Sequence, residues 1–403
     1  MRMSNWLERG YRGIGLPLAM VLFGMQLGLA QVVINLHPPG YQSSEANAIQ
    51  NGVAAGGGIL ADGTQSALLW TSLNANAVTV LNQGTTGSWG WAMSNGVVVG
   101  PSWTATVHAS AWDSNGTFID LNPPFTAWSN AFSVSHPSQA SSFVTVGIAL
   151  YTNVYHAVAW AAPNANNLID LHPTGAGQSF AFGINDAGQV CGAVDNQAAF
   201  WNDYNNPASY QNIHPAGASA SFALAVAANG QVGGFAVFNG TEHAYLWDPA
   251  TGNAIDLHPP TATGDSEVLG IFSPPGGGGV IPVGFAYFNG EQHAMLWFCT
   301  GGELDLHPAL PPGYTLSWAR GVWMDRDGTI YVSGAAGDAS HTEAIVWVIA
   351  PDTNGDGCMD DTDLLAILLN FGLVGCSPYD LNGDGAVDDG DLLIALFNFG
   401  NGC

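Results

Sequence analysis

Two acidic segments near the C-terminus have the residue types and the spacing of metal-binding loops. Residues 352–363 (DTNGDGCMDDTD) and 380–391 (DLNGDGAVDDGD) carry oxygen-bearing side chains at loop positions 1, 3, 5, 9 and 12, with glycine at position 6. Because hard oxygen ligands at these positions suit calcium, the sequence predicts two Ca²⁺ ions, one in each loop. The predicted side-chain ligands are Asp352, Asn354, Asp356, Asp360 and Asp363, then Asp380, Asn382, Asp384, Asp388 and Asp391. Position 7 would contribute the backbone carbonyl of Cys358 or Ala386.

Each acidic loop is followed by one apolar segment that is predicted to be a helix, LLAILLNFG (364–372) or LLIALFNFG (392–400). This arrangement, with Asp at position 12, resembles a type I dockerin over residues 352–403. The resemblance implies a docking module that recognises a cohesin-like or cell-surface protein through loop positions 10 and 11, which are Asp361, Thr362, Asp389 and Gly390. Both helices are apolar nearly all round, so the protein's own preceding domain is an alternative partner.

The five cysteines leave at least one thiol unpaired within the chain. In a dockerin-like module the two halves are related by a pseudo-twofold, and their helices run antiparallel. The resemblance therefore implies a disulfide between Cys358 and Cys403, with Cys376 to Cys403 as the alternative.

A second pattern repeats over the preceding 320 residues. It is a hairpin whose first strand ends in tryptophan and whose second strand ends in His-Pro. The clearest copy is HAYLWDPATGNAIDLHP (243–259), and six further strands end at Trp70, Trp112, Trp160, Trp201, Trp297 and Trp347. Between these hairpins lie two more strand-like segments, as in SFAFGINDAGQVCGAV (179–194). Four strands in a period of roughly 40 to 50 residues indicate one propeller blade per repeat.

The two ends of the repeated region predict how the ring closes. The region begins with an unpaired His-Pro strand near residue 35 and ends with an unpaired tryptophan strand at 343–347. We therefore predict a mainly β protein, with a seven-bladed β-propeller at 31–350 closed by its N-terminal strand and a small α-helical module at 352–403. Closure removes two sheet edges that would otherwise favour aggregation. The HAxxW and Asn-Asp-x-Gly-Gln-Val-x-Gly patterns resemble HAF-type extracellular repeats of bacterial secreted proteins, which implies a propeller and an exported location.

Residues 1–30 are interpreted as an export signal. Three arginines precede an apolar run at 14–29, and small residues at 28 and 30 suit cleavage before residue 31; a retained N-terminal anchor is the alternative. The remaining chain has two arginines, no lysine and thirty acidic residues, a net charge of 2 − 30 = −28. Such a surface repels nucleic acid and anionic lipid, and we expect a secreted or cell-surface bacterial protein with no membrane insertion after signal removal.

Catalytic motifs are absent from the sequence, and we predict no catalytic residue. Nine of the eleven histidines recur once per repeat, which indicates a shared structural hydrogen bond. Trp89, Trp91, Trp318 and Trp323 lie outside the repeat positions and could form a platform that stacks sugar rings, although packing between blades also explains them. Two functions remain: a recognition or scaffold protein that binds a glycan, and a polysaccharide hydrolase or lyase carrying a dockerin.

Overall fold

The computed structural model describes residues 31–81, 85–274, 279–298, 302–353, 358–374, 377 and 379–401. The proposed export signal at 1–30 lies outside the described residues. Within them the chain forms twenty-nine strands, two short 3₁₀ helices and two α-helices.

The strands lie in antiparallel groups of consecutive elements. Their bounds are β1 (Gln31–Asn35), β2 (Tyr41–Gln50), β3 (Val53–Leu60), β4 (Gln65–Trp70), β5 (Val78–Val80), β6 (Gly87–Ser88), β7 (Ala92–Ser94), β8 (Val97–Trp103), β9 (Val107–Trp112), β10 (Phe118–Asp120), β11 (Ser129–Ser135), β12 (Val144–Tyr151), β13 (Val154–Trp160), β14 (Leu168–Asp170), β15 (Ser179–Ile184), β16 (Val190–Val194), β17 (Gln197–Trp201), β18 (Tyr210–Asn212), β19 (Ser221–Val226), β20 (Val232–Phe238), β21 (Thr241–Trp247), β22 (Ala254–Asp256), β23 (Ser266–Phe272), β24 (Ile281–Phe288), β25 (Glu291–Trp297), β26 (Glu303–Asp305), β27 (Leu316–Met324), β28 (Ile330–Asp338) and β29 (His341–Ile349). The 3₁₀ helices are Pro207–Ser209 and His307–Ala309, and the α-helices are α1 (Asp361–Leu369) and α2 (Asp389–Phe397).

These strands build a mainly β, propeller-like fold of repeated four-stranded sheets. Four sheets have four strands each, and β6 to β10 form a five-stranded sheet in which β6 and β7 both pair with β8. One parallel bridge, between Gln292 and Leu316, joins the last two groups into an eight-stranded sheet. The predicted terminal pairing is observed, because β1 runs antiparallel to β29 with Val33 opposite Trp347.

One strand near the start of each group lies beside a common axis. We call β2, β7, β11, β15, β19, β23 and β27 the inner strands. Each inner strand contacts the next along the chain, and β27 contacts β2, so the inner strands form a closed circle. Short Asn-Gly turns support this layout: Asn239 and Gly240, both at positive φ, join β20 to β21 in the two-residue hairpin that such residues favour.

The second strand of each group approaches the inner strand closely at a glycine. A Cβ at Gly192 would lie 1.9 Å from the carbonyl oxygen of Phe180, which the backbone could not accommodate. Six further glycines hold the same position, because a Cβ added there would lie 1.9 or 2.0 Å from a backbone carbonyl oxygen of the adjacent segment. They are Gly56, Gly100, Gly147, Gly234, Gly284 and Gly334. The final residue of the repeated Val-x-Gly ending is therefore required by sheet packing.

The repeated histidines satisfy the same hydrogen bonds each time, as predicted. In one copy, the Nδ1 atom of His172 lies 2.8 Å from the Ser179 hydroxyl, and that hydroxyl accepts the Ala157 N–H at 2.8 Å. The Nδ1 atom of His156 lies 3.0 Å from the Asp170 carboxylate, and the His156 and His172 rings stack at 3.8 Å. Ser179 belongs to the following group of strands, so each copy of this network joins neighbouring groups.

The C-terminal module consists of two halves that correspond residue by residue. Gly372 donates its N–H to the Val387 carbonyl, and Gly400, 28 positions later, donates to the Met359 carbonyl, each at 2.8 Å. Both helices begin earlier than their apolar segments suggested, at Asp361 and Asp389, because the preceding aspartates form capping boxes with the residues three positions later. The helices thus begin inside the predicted metal loops.

Candidate functional site

An axial cavity of about 590 Å³ lies within the circle of inner strands. Its lining includes residues of β2, β7, β11, β15, β19, β23 and β27, together with Trp91 beside β7. Most inner strands share a β-bulge, and these bulges determine which side chains line the cavity. β-bulges interrupt the pairing of six of the inner strands, and a bulge turns the extra side chain away from its regular direction. The cavity-lining bulge residues are Asn47, Phe132, Phe182, Leu224, Leu269 and Arg320.

Trp91 occupies the corresponding position where β6 and β7 are separated. Asn47 on the neighbouring β2 and Arg320 on β27, the next inner strand of the circle, make this side of the cavity polar. The opposite side is formed by aromatic and aliphatic side chains, among them Phe132, Phe182 and Leu224. The cavity therefore has a polar and an apolar side.

The polar side contains buried atoms without hydrogen-bond partners. Within the part of the chain that the structure describes, these include Arg320 Nε, Trp91 Nε1 and Asn47 Oδ1. The guanidinium carbon of Arg320 lies 5.5 Å from the centroid of the Trp91 ring, a cation–π distance. A buried polar group without a partner costs free energy, and core indoles such as those of Trp112 and Trp347 carry the same cost. The side chains of Arg320, Trp91 and Asn47 differ from them because they also line an open cavity, where a ligand could supply hydrogen bonds.

Two glutamates determine the electrostatics around Arg320. Burial raises the pKa of Glu45, and the positive charge of Arg320 opposes that rise. Burial, with the hydrogen bond and the charge of Glu242 adding to it, raises the pKa of Glu267 to about 8. Burial lowers the pKa of Arg320, while both Glu45 and Glu267 favour its charged form. The cavity lining thus includes the guanidinium of Arg320 and the carboxyl group of Glu267, whose pKa is raised, while Glu45 interacts with Arg320 from outside the lining.

None of the four tryptophans of the predicted sugar platform is fully exposed. Trp89 is buried and packs against Gly57 of the neighbouring sheet. Trp91 lines the axial cavity, and Trp318 and Trp323 are partly buried. Trp323 donates its indole N–H to Asp325 at 3.0 Å and contacts Phe272. Only Trp91 among them thus lies in the cavity lining.

The second acidic loop folds around its own side chains. The Asp380 carboxylate accepts the N–H groups of Asp384 at 3.1 Å and Gly385 at 2.8 Å, and Asn382 Oδ1 accepts the Asp384 N–H at 2.8 Å. Asp391 is buried and accepts the N–H groups of Asn382 and Asp388. Burial, together with the charges of Asp391 and Asp384, raises the pKa of Asp380 to about 6. This donor set, carboxylate and amide oxygens around one loop, fits Ca²⁺.

The first acidic loop is described in part. Asp352 and Asp363 are buried, and Asp363 accepts the Thr353 N–H at 2.9 Å, while Asn354 and Asp356 lie outside the described residues. Asp360 and Asp388 cap the helices, and Ala386 is partly buried. The predicted partner-recognition residues lie in the first helical turns, where Asp361, Thr362 and Asp389 are exposed and Gly390 is partly buried.

Cys358 is disulfide-bonded, and Cys191 is a buried free thiol. The other three cysteines, Cys299, Cys376 and Cys403, lie outside the described residues. Met359 donates its N–H to the Asn401 carbonyl at 3.0 Å, so the chain next to Cys358 runs beside the C-terminal end of the module.

The module contacts the propeller-like domain through its second half. Asn398 donates from its side chain to the Asp327 carbonyl at 2.9 Å, and Ile394 is buried next to Gly328. A large apolar surface nevertheless remains exposed on the module, formed by Leu365, Leu368, Leu369, Phe371, Leu373, Val374, Leu393, Leu396, Phe397 and Phe399.

A separate cluster of three possible metal ligands lies close to the pairing of β1 with β29. Among the described residues, His37, His341 and Glu343 bring one ligand atom each within 4.8 Å of one another, a spacing that no group of acidic-loop carboxylates reaches. Both ring nitrogens of His37 already have partners, the Ser44 hydroxyl at 2.8 Å and the Tyr41 carbonyl at 3.1 Å. This histidine therefore belongs to the structural network of the repeats.

Sequence reasoning missed the cluster of Arg320, Glu45 and Glu267. These residues come from β27, β2 and β23, far apart in the chain, and no motif joins them. The sequence did offer one signal, because Arg320 is one of only two arginines after residue 30 in a lysine-free chain, and it lies within a predicted strand.

Comparison with known proteins finds solved structures of low sequence identity. No protein-family model and no curated protein matches the chain. Similar solved structures include a puromycin hydrolase S511A mutant complexed with PGG (12% identity, 73% of this chain and 50% of that chain, TM-score 0.44). TolB from Acinetobacter baumannii is also similar (12% identity, 63% and 63%, TM-score 0.42), as is Pyrococcus horikoshii acylaminoacyl peptidase (9% identity, 74% and 52%, TM-score 0.43).

The chain spans between 50% and 63% of the length of these three proteins. In the described residues, no helix has the length and apolar character needed to cross a membrane.

Proposed function

We propose that the protein is an exported recognition or scaffold protein, built from a seven-bladed β-propeller and a dockerin-like module that binds two Ca²⁺ ions. The observation that carries the proposal is the axial cavity, where the repeated fold holds side chains that do not repeat. Arg320, Asn47 and Trp91 stand at positions that Phe132, Phe182 and Leu224 occupy on other inner strands. A purely structural ring would not require a guanidinium at this point, because a buried charge is costly unless it is paired.

The seven-bladed reading rests on seven inner strands that form a closed circle and on seven close-packed glycines. An N-terminal strand that completes the last sheet also fits the closed ring. Export fits the apolar run at 14–29, the acidic composition and the disulfide at Cys358.

The dockerin-like reading rests on the correspondence between the two loop–helix halves and on their oxygen ligands. Bound Ca²⁺ would neutralise carboxylates that otherwise repel one another, with the side chains of 352–363 and 380–391 as ligands. We propose the disulfide between Cys358 and Cys403, supported by the hydrogen bond from Met359 to Asn401. Non-reducing peptide mapping tests this pairing, and a peptide joining Cys376 to Cys403 would contradict it.

A cohesin-like or cell-surface protein remains the proposed external partner of the module. The exposed Asp361, Thr362 and Asp389 support this role, as does the apolar surface that the propeller-like domain leaves uncovered. Contact with the protein's own propeller, through Asn398, supports the alternative of a fixed position within one molecule.

A second function, polysaccharide hydrolysis or cleavage by a lyase, is favoured by the two glutamates that interact with Arg320. Glu45 and Glu267 both interact with Arg320, and their raised pKa values suit a general acid. Screening the full-length protein on a glycan array, followed by a reducing-sugar assay on each bound glycan, separates the two functions. Binding without product supports recognition, and product that disappears in Glu267→Gln supports the enzyme. If no glycan on the array binds, the carbohydrate ligand proposed for both functions is contradicted.

A further inference from the structure

We infer that the axial cavity is the ligand site of the protein and that it accepts a short, uncharged oligosaccharide. This inference rests on the proposed recognition of glycans and deepens it by giving the place and the chemistry of the site. It also moves the site from an exposed rim of tryptophans to the interior of the ring, where Trp91 alone of the four predicted residues takes part.

The size of the cavity suits a short ligand. Its volume is about 590 Å³, within the range of about 300–1,000 Å³ that is usual for small-molecule pockets. Because the inner strands surround it as a closed circle, a ligand must enter along the axis. A disaccharide or another short oligosaccharide meets both conditions.

The polar side offers the hydrogen bonds that sugar hydroxyls make. Arg320 Nε and Trp91 Nε1 are buried donors without partners, and Asn47 Oδ1 is a buried acceptor without a partner. The amide nitrogen of Asn47 donates to the Gly90 carbonyl at 2.9 Å, which fixes the direction of the free oxygen. A hydroxyl group both donates and accepts, so one sugar ring can satisfy donors and acceptors that lie side by side.

The apolar side offers flat surfaces for the C–H faces of a sugar ring. Phe132, Phe182, Phe222 and Leu224 line the cavity. The Phe132 and Phe182 rings lie 5.4 Å apart, and Phe180 stacks on Phe182 at 5.8 Å, so this wall is a packed aromatic surface. Aromatic side chains combine apolar contact with a fixed geometry, which favours a ligand that has one apolar face and one polar edge.

The charges of the cavity exclude strongly charged ligands. A carboxylate or sulfate placed against Arg320 would also meet Glu45, which interacts with that guanidinium. A cation placed against Glu45 would meet Arg320. Because the fixed charges largely compensate one another, a neutral ligand loses least on entering the site.

The test compares ligand binding by the wild-type protein and by paired variants. Cellobiose, xylobiose and maltose serve as neutral probes, and digalacturonic acid and the glucosamine dimer serve as anionic and cationic probes, in calorimetric titrations. Arg320→Gln removes the buried cation, and its matched control is Arg326→Gln, because Arg326 is the other arginine of the mature chain and is exposed. Leu224→Trp fills the cavity, and its control is Ile255→Trp at a position that is 49% exposed.

We expect at least one neutral disaccharide to bind the wild type and neither charged probe to bind as well. Arg320→Gln should weaken that binding about tenfold, as expected for loss of a charged hydrogen-bond donor. Leu224→Trp should abolish the binding, and both controls should bind as the wild type does. In the wild type, the indole N–H resonance of Trp91 should shift as the sugar is added, which gives a readout if Arg320→Gln fails to fold.

Different results identify which proposal is wrong. A glycan that binds the array and the wild type, but binds Leu224→Trp equally well and leaves the Trp91 resonance in place, overturns the axial site and leaves glycan recognition intact. Preferred binding of digalacturonic acid overturns the neutral-ligand inference. Failure of every sugar on the array and in solution overturns the proposed glycan recognition itself.

Discussion

Arg320 shows how one residue can differ in function from a repeat that is otherwise structural. The bulge in β27 would turn any side chain at this position toward the axis, and on β11, β15 and β19 that side chain is Phe132, Phe182 or Leu224. A buried guanidinium is costly unless it is paired or hydrogen-bonded. The two nearby glutamates offset part of this cost, which explains why a protein with almost no cations retains one in its interior.

The titration of Glu267 gives a prediction about stability and pH. Its pKa is raised from an ordinary 4.5 to about 8, first by burial and then by Glu242, with Asp265 adding to the rise and Arg320 opposing it. A carboxyl group whose pKa is raised by folding stabilises the folded state below its ordinary pKa, and this stabilisation is lost as the pH rises toward 8. We therefore expect the melting temperature of the propeller to fall between pH 5 and pH 8.

Glu267→Gln should make that fall smaller, because the amide cannot ionise. Calorimetry of the wild type and the variant over this range measures the difference, with Glu291→Gln as the control, since the Glu291 side chain is 58% exposed. Equal pH dependence in all three proteins would show that Glu267 does not ionise in this range.

At the scale of the elements, the sequence predicted the strands well because its signals are local. Strands that end in tryptophan, Asn-Gly turns and strands that end in Val-x-Gly can each be recognised within one hairpin. Because the hairpin repeats, the sequence shows each pattern several times. The bulges were not predicted, because they depend on how β2 or β27 pairs with its neighbour and not on alternation within the strand. Without the bulges, neither Arg320 nor Asn47 could be assigned to the cavity.

Pairing between β1 and β29 predicts a strong dependence on the N-terminal strand. Leu36, just after β1, is fully buried, donates its N–H to the Ala344 carbonyl at 2.8 Å and accepts the indole N–H of Trp70 at 2.9 Å. Deleting residues 31–40 should expose the edge of β29 and cause aggregation or a large loss of stability. Size-exclusion chromatography and calorimetry measure the effect.

A point variant tests the same strand without shortening the chain. Ile34 packs against the core beside Trp70, so Ile34→Asp should lower the melting temperature, because it places a charge in that core. Val32 on the same strand is 61% exposed, so Val32→Asp should have little effect. An unchanged melting temperature after the deletion would contradict ring closure by this strand.

At the scale of the whole molecule, the sequence could not decide how the C-terminal module sits. Both halves have nearly the same apolar pattern, and only the structure shows that the second half contacts the propeller. Asn398 donates to the Asp327 carbonyl at 2.9 Å and to the Ile394 carbonyl at 2.9 Å. Asn370, its counterpart 28 residues earlier, makes only the equivalent local bond, to the Ala366 carbonyl at 2.8 Å.

This difference between matched residues gives a prediction about docking. Asn398→Ala removes the contact with the turn at Asp327, so amide hydrogen exchange at residues 325–329 should become faster. Asn370→Ala removes a bond of the same local type without touching the propeller, and exchange in that turn should stay as in the wild type. Equal exchange in both variants would mean that the module does not dock in this way.

The last prediction concerns the two proposed calcium loops. In each loop the ligand aspartate at position 12, Asp363 or Asp391, is buried, and the aspartate two residues before it, Asp361 or Asp389, is exposed. Asp391 is buried and fixes the second loop by accepting the N–H groups of Asn382 and Asp388 at 3.0 Å and 2.8 Å. Asp389 is exposed in the first turn of α2 and stands at a loop position that does not bind the ion. Calorimetric titration with Ca²⁺ should give two ions per wild-type molecule and per Asp389→Asn molecule.

Asp391→Asn should bind one ion, and chelator should lower the melting temperature of the module in the wild type more than in this variant. The reason is that ligand binding to the folded state adds to the free energy of unfolding, and the variant has lost one such contribution. Two ions bound to Asp391→Asn would place the second site elsewhere. A module whose melting ignores chelator in the wild type would show that calcium does not hold it together.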